Sequence, residues 1–168
     1  TVLPFRELLP LDVSVRTAGV QAMSVEDIRW GRCDIKSVNL LANVLARQRA
    51  KEAGVFEAIL VREGTVTEGS VSNVMVVRNG AVQTAPEGRR ILSGVTRAIV
   101  LDLARKEGIP VAESFVTREE LLAASEVFLT GTTVEVLPVV RVDGHMIGGG
   151  SPGPVSQLLS RRFEALVG

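Results

Sequence analysis

The sequence predicts an α+β domain with a barrel-like arrangement of strands, and three observations carry that expectation. Hydrophobic residues fill 46% of the 168 positions, which suits one sizeable core. Stretches with a two-residue period and stretches with a helical period both occur. They do not alternate in the regular strand–helix–strand order of a doubly wound sheet, so a mixed sheet fits better.

Taken in order, residues 1–20 carry Pro4 and Pro10 and a loosely alternating stretch, Leu11 to Arg16, that reads as an entry segment leading into a short strand. Val38, Leu40, Leu41, Val44 and Leu45 then recur at helical spacing, with Gly54 placed as a C-terminal cap, so residues 37–53 are expected as a helix. Phe56 to Arg62 is a strand and Glu63-Gly64 a turn. Asn73–Arg78 and Ala81–Thr84 flank Asn79-Gly80, the dipeptide that supplies positive φ to a type I′ hairpin. A second helix is expected over Val95–Lys106, with Val95, Ala98, Ile99, Leu101, Leu103 and Ala104 as its apolar face and Gly108-Ile109-Pro110 ending it. A strand over Val111–Val116 follows. Thr117 and Glu120 have the spacing of a capping box that opens a short helix. Val127–Leu129 and Val136–Val142 are strands, Asp143-Gly144 turns the second back on Met146-Ile147, and a Gly/Pro-rich loop leads into a terminal helix.

Composition removes several function classes. Nineteen Lys and Arg balance nineteen Asp and Glu, leaving no basic face for a nucleic acid or an anionic membrane surface. No apolar run approaches the roughly 20 residues that span a bilayer. One Cys, Cys33, and one His, His145, exclude an intrachain disulfide and make a zinc site improbable. No secretory signal pattern is visible, and a reducing cytoplasm fits this cysteine usage.

The familiar catalytic triads cannot be assembled from this inventory, which turns attention to lysine. Lys36 stands in Asp34-Ile35-Lys36-Ser37, between an apolar residue and a helix start. At the edge of a core, desolvation would favour its neutral, nucleophilic form; taken alone, a lysine before a helix is more often a solvated surface residue. By pattern, Glu68 in Val66-Thr67-Glu68-Gly69-Ser70 is a loop carboxylate. Gly94 permits close approach of the chain, and the helix that opens after Leu92-Ser93-Gly94 presents free N–H groups suited to phosphate. Thr130-Gly131-Thr132-Thr133 could hold an anion or simply turn. Cys33 and His145 read as a packed side chain and an exposed turn residue.

In combination these segments resemble a known family. Arg32-Cys33-Asp34-Ile35-Lys36-Ser37-Val38-Asn39-Leu40-Leu41 with Val44 to Gln48, then Thr67 to Ser70 with Ser72-Asn73-Val74, Leu92 to Arg97, and Thr130 to Thr133 with Glu135-Val136 follow one another as in fold-type IV pyridoxal-phosphate enzymes. The D-amino-acid aminotransferase branch is the nearest, and the likeness spans about residues 24–145. It implies the family's large domain, a mixed-sheet pseudo-barrel with surrounding helices, over residues 21–168, with residues 1–20 as an interdomain lead-in. Trp30-Gly31 departs from the family, which has a bulky residue at the second position.

The resemblance also implies roles. Lys36 would form a Schiff base with pyridoxal 5′-phosphate and shuttle a proton. Glu68 would face the pyridine nitrogen and Leu92 would pack on the ring. The N–H groups of Val95 and Thr96, with the Thr132 hydroxyl, would hold the phosphate, and Ser70 and Asn73 would line the site. The expected reaction is transamination between a D-amino acid and a 2-oxo acid in a homodimer. Branched-chain L-amino-acid or (R)-amine transamination, aminodeoxychorismate lysis, and a non-catalytic truncated domain are the alternatives. Family members carry a small N-terminal domain that supplies substrate-selecting groups; its arginine, tyrosine and Arg-x-His element are not found in this sequence.

Overall fold

A computed structural model describes residues 11–167. Within them lie α1 Val13–Ala18, β1 Val20–Glu26, α2 Leu41–Glu52, β2 Glu57–Arg62, β3 Thr65–Gly69, β4 Asn73–Arg78, β5 Ala81–Thr84, α3 Val95–Lys106, β6 Val111–Glu113, β7 Val116–Thr117, α4 Arg118–Leu122, β8 Glu126–Gly131, β9 Glu135–Val142, β10 His145–Met146 and α5 Pro154–Val167. The strands form one mixed sheet in the order β6-β5-β4-β8-β9-β1-β2-β3-β7, with β10 on β9. Strand β1 runs parallel to both β2 and β9 and β5 runs parallel to β6, while the other pairs are antiparallel. The sheet curls until the end of β3 meets the start of β4, where the Gly69 N–H donates to the Ser72 carbonyl at 2.7 Å.

Alternation along the central strands divides the core. Val74 and Val76 of β4, Val127 and Leu129 of β8, and Leu137 and Val139 of β9 fill the inside of the curl. Their neighbours Met75, Val77, Phe128 and Val136 point the other way and pack against Val100, Leu101 and Ala104 of α3 and Leu159 and Phe163 of α5. Both faces are thus covered, which is why these strands are apolar almost without interruption. A third cluster joins Ala46 and Ala50 of α2 to Val25, Ala58 and Leu60. The two-residue turns are as expected: Asn79 and Gly80 have φ of 51° and 75°, and Glu63-Gly64 and Asp143-Gly144 repeat that pattern.

The alternating entry segment at Leu11 to Arg16 forms a helix, Val13–Ala18, in which Asp12 accepts a hydrogen bond from the Ser14 N–H at 2.7 Å, and it leads into strand β1. A local side-chain cap outweighs a short alternation with no neighbouring strand to complete it. Pro4 and Pro10 lie outside the described residues. Helix α2 begins at Leu41 rather than residue 37. Its large apolar residues Leu41, Val44 and Leu45 are exposed, while the small Ala46 and Ala50 face the sheet. In α3, four of the six expected face residues, Ile99, Leu101, Leu103 and Ala104, pack into the core, while Val95 and Ala98 in its first turns are exposed and Thr96, Arg97 and Val100 are buried in their place. The strand expected over Val111–Val116 is broken at Ser114-Phe115, the short strand expected after the entry segment is β1, and β3 was not expected as a strand. The capping box is present: the Thr117 hydroxyl accepts from the Glu120 N–H at 3.1 Å and the Glu120 carboxylate from the Thr117 N–H at 2.9 Å.

Glu126 fastens α5 to the sheet. Its buried carboxylate accepts from the Val155 N–H at 2.9 Å, the Ser156 N–H at 2.8 Å and the Ser156 hydroxyl at 2.7 Å. Gly153 is required beside it, because a Cβ there would lie 2.1 Å from the carboxylate carbon. Glu126→Ala is expected to lower unfolding free energy by about 1–3 kcal/mol in a denaturant titration, since it orphans buried donors. An unchanged midpoint would refute this account of the helix end.

Candidate active site

One end of the curled sheet opens into a cavity of about 310 Å³. Its walls come from the end of β3, the turn into β4, the loop before α3 with the first turn of that helix, the end of β8, and the loop that links β1 to α2. All eight residues singled out from the sequence line it: Lys36, Glu68, Ser70, Asn73, Leu92, Val95, Thr96 and Thr132. Segments far apart in sequence meet here because β8 pairs with β4, setting Thr130 opposite Asn73.

Glu68 is on β3 rather than in a loop, and it is buried. One carboxylate oxygen accepts from the Arg29 guanidinium. The other accepts from the Asn73 amide and from the Leu92 N–H, each at 3.0 Å. Burial pushes its pKa above the ordinary glutamate value, and the opposing charge and hydrogen bond of Arg29 only partly offset that. Asn73 also donates to the Leu92 carbonyl at 2.9 Å, which ties the loop before α3 to the carboxylate. Gly94 allows this, because a Cβ there would stand 2.2 Å from the Asn73 amide oxygen.

Behind Glu68 lies a charge network that the sequence reading missed. Asp27, whose side chain is fully buried, accepts from Arg29 Nε and Nη2, each at 2.9 Å, from the Arg29 N–H at 3.1 Å and from the Thr67 hydroxyl at 3.0 Å. Arg62 approaches it at 3.0 Å. Burial disfavours the Asp27 charge, yet the bonds and charge of Arg29 overcome it and hold the carboxyl down at about 2. Burial likewise opposes the Arg29 charge, and the two carboxylates more than compensate. An Asp-x-Arg after a strand was the only available signal, and in sequence it looks like any surface pair.

The opposite chemistry gathers at the start of α3. The first N–H groups of the helix, those of Val95 and Thr96 among them, lack an intrahelical acceptor, and Gly94 has no side chain to cap them. The helix dipole places partial positive charge at the same point. Thr132 adds an exposed hydroxyl from beyond β8. Lys36 is exposed in the loop before α2, so the desolvation expected of it is not provided by the described residues. The Ser70 hydroxyl is turned onto buried Glu57 at 2.5 Å, and its carbonyl accepts from Asn43 at 2.8 Å. Cys33 is packed, with its Sγ 3.3 Å from the Trp30 carbonyl and its thiol pushed up by burial, and His145 is exposed on β10.

The curled mixed sheet is similar to the fold of solved branched-chain amino acid aminotransferases. The solved Thermobaculum terrenum enzyme in its PLP form superposes with a TM-score of 0.84 at 30% identity, over 94% of this chain and 54% of that one. The Escherichia coli enzyme gives 0.84 at 32%, over 96% and 55%. The amino-transferase class IV family matches residues 2–142, and the chain belongs to that family. Among its relatives, the D-alanine aminotransferase of Bacillus licheniformis is 52% identical over 139 residues, 83% of this chain and 49% of the relative. That of Staphylococcus haemolyticus is 46% identical over 149 residues, 89% and 53%. The chain thus spans about half the length of these relatives.

The depressed Asp27 value fixes the sign of an acid effect. A carboxylate held below its unfolded value stabilises the fold above about pH 4, and that contribution is lost as pH falls towards 2. Wild-type stability is therefore expected to drop by on the order of 2 kcal/mol more than that of Asp27→Asn between about pH 5 and 2. Parallel pH curves from chemical denaturation would contradict it.

Proposed function

We propose that residues 21–168 form the cofactor-binding large domain of a pyridoxal-phosphate-dependent D-amino-acid aminotransferase, with residues 1–20 as the interdomain lead-in. The observation that carries this reading is the convergence of an amine, Lys36, a buried carboxylate, Glu68, and an uncapped helix N-terminus on one cavity. The sequence relatives are named D-alanine aminotransferases, which favours a D-amino acid as the amino donor here, and a 2-oxo acid is the acceptor that transamination requires. A cytoplasmic location fits the single free cysteine, and no helix among the described residues is long and apolar enough to cross a membrane.

The donor set fits pyridoxal 5′-phosphate. A dianion needs clustered N–H and hydroxyl donors, which Val95, Thr96 and Thr132 offer. A protonated ring nitrogen needs a buried anion, which Glu68 offers. When bound, the group supplies an electrophilic carbonyl carbon and an electron-accepting ring. The chain's own residues do the rest. Glu68, whose second oxygen is fixed by Asn73 and the Leu92 N–H, would accept the hydrogen bond of the ring nitrogen, and Leu92 would pack on the ring. Ser70, held by Glu57 and Asn43, shapes the wall rather than presenting its hydroxyl to the ligand. Lys36 Nζ holds and returns the proton taken from the substrate α-carbon, and its exposed position at the cavity leaves it free to move between those tasks.

Val38 is 97% exposed, and Leu41 and Val44 beside it are exposed as well. A continuous apolar face of this kind implies a covering partner, and a second copy in a homodimer is the occupant that fits the family. Light scattering is expected to show an assembly larger than a monomer. A monodisperse monomer that binds no hydrophobic dye would refute it.

Incubation with pyridoxal 5′-phosphate followed by borohydride is expected to label the peptide containing Lys36, and Lys36→Ala to abolish the label. A label elsewhere, or none, would sink the cofactor reading. Release of pyruvate from D-alanine and 2-oxoglutarate tests the substrate assignment separately.

A further inference from the structure

We propose that Asp27, which does not line the cavity, is a positioning residue for it: by gripping Arg29 it fixes the guanidinium that orients Glu68 and divides that guanidinium's charge between two carboxylates. This rests on the reading of Glu68 as the anion facing the ring nitrogen.

The geometry makes the coupling direct. The Arg29 side chain is nearly buried and its donors are committed. Its Nε, Nη2 and backbone N–H go to Asp27, Nη2 also reaches the Arg90 carbonyl at 3.1 Å, and Nη1 alone reaches Glu68. Asp27 is itself held from two strands, by Arg62 at the end of β2 and by Thr67 on β3, next to Glu68 in sequence. Two buried acids thus face two cations, and the network is neutral.

That balance matters for what Glu68 can do. A guanidinium paired with Glu68 alone would neutralise it and make it a poor acceptor for a ring N–H. Sharing the same cation with Asp27, whose own charge also favours a proton on Glu68, leaves the carboxylate its affinity for a proton. The other charged groups nearby are Lys36 on the cavity and Arg90, whose side chain is occupied by Glu63 at 2.6 Å. Neither touches the Glu68 carboxylate.

The test is calorimetric titration of the full chain with pyridoxal 5′-phosphate and, separately, inorganic phosphate, which probes only the α3 end of the cavity. Asp27→Asn is expected to weaken pyridoxal phosphate about tenfold and to leave inorganic phosphate unchanged. If Asp27 acts through Glu68, the Asp27→Asn/Glu68→Gln double variant binds no more weakly than Glu68→Gln alone. Additive losses, wild-type affinity in Asp27→Asn, or a proportional loss of inorganic phosphate would each overturn the proposal, the last by showing a purely structural role. Should Asp27→Asn fail to fold, Arg29→Gln carries the same expectation. A wild-type chain that takes up inorganic phosphate but no pyridoxal phosphate would refute the cofactor reading itself, and is distinguished by arising before any substitution.

Discussion

The placement of β8 between β4 and β9 is the constraint on which the rest of the structure depends. The two larger core clusters, inside and outside the curl, both cross this triplet, because Val127 and Leu129 face one way and Phe128 the other. The same pairing puts Thr130 opposite Asn73 and so brings the hydroxyl-bearing end of β8 beside the carboxylate of β3. Core and cavity are therefore two ends of one register. A one-residue slip would exchange the faces of β8 and remove the cavity wall together with the core.

The cavity is asymmetric in rigidity. Glu68 is on a strand, fastened by Arg29, Asn73 and the Leu92 N–H, and its neighbours are themselves fastened. Lys36 sits on an exposed loop with no such restraint. A group that only has to stabilise charge gains from being immobile, since no reorganisation is needed when charge develops. A group that must carry a proton between positions needs freedom. The division between strand-borne and loop-borne side chains follows that difference in task.

Much of this was legible in the sequence, for reasons that differ by element. The two-residue turns were readable because Asn-Gly and Asp-Gly encode positive φ locally, and the capping box because its partners are three residues apart. Strand β1 could not be given bounds and β3 was missed because both owe their structure to distant partners: β1 is short of large apolar residues and is completed by β2 and β9, and β3 buries the polar Thr67 and Glu68. The eight cavity residues were found through family resemblance rather than periodicity. Asp27 and Arg29 escaped both, because their importance lies in burial, which no local pattern records. The apolar spacing that revealed α2 belongs to its exposed side, so the period marks the helix without marking the face that meets the sheet.

Strand β1 also sets the order in which the chain can fold. Val20 pairs with Val139, and Asn73 with Thr130. During synthesis the first half of the sheet must therefore wait with open edges until β8 and β9 emerge, and no early fragment can contain a finished cavity. High sequence separation between partners makes such folding slow and leaves unpaired strands available for wrong pairing in the meantime. The Lys-bearing loop and the buried carboxylate are made early, but they become a site only when the last third of the protein closes the sheet around them.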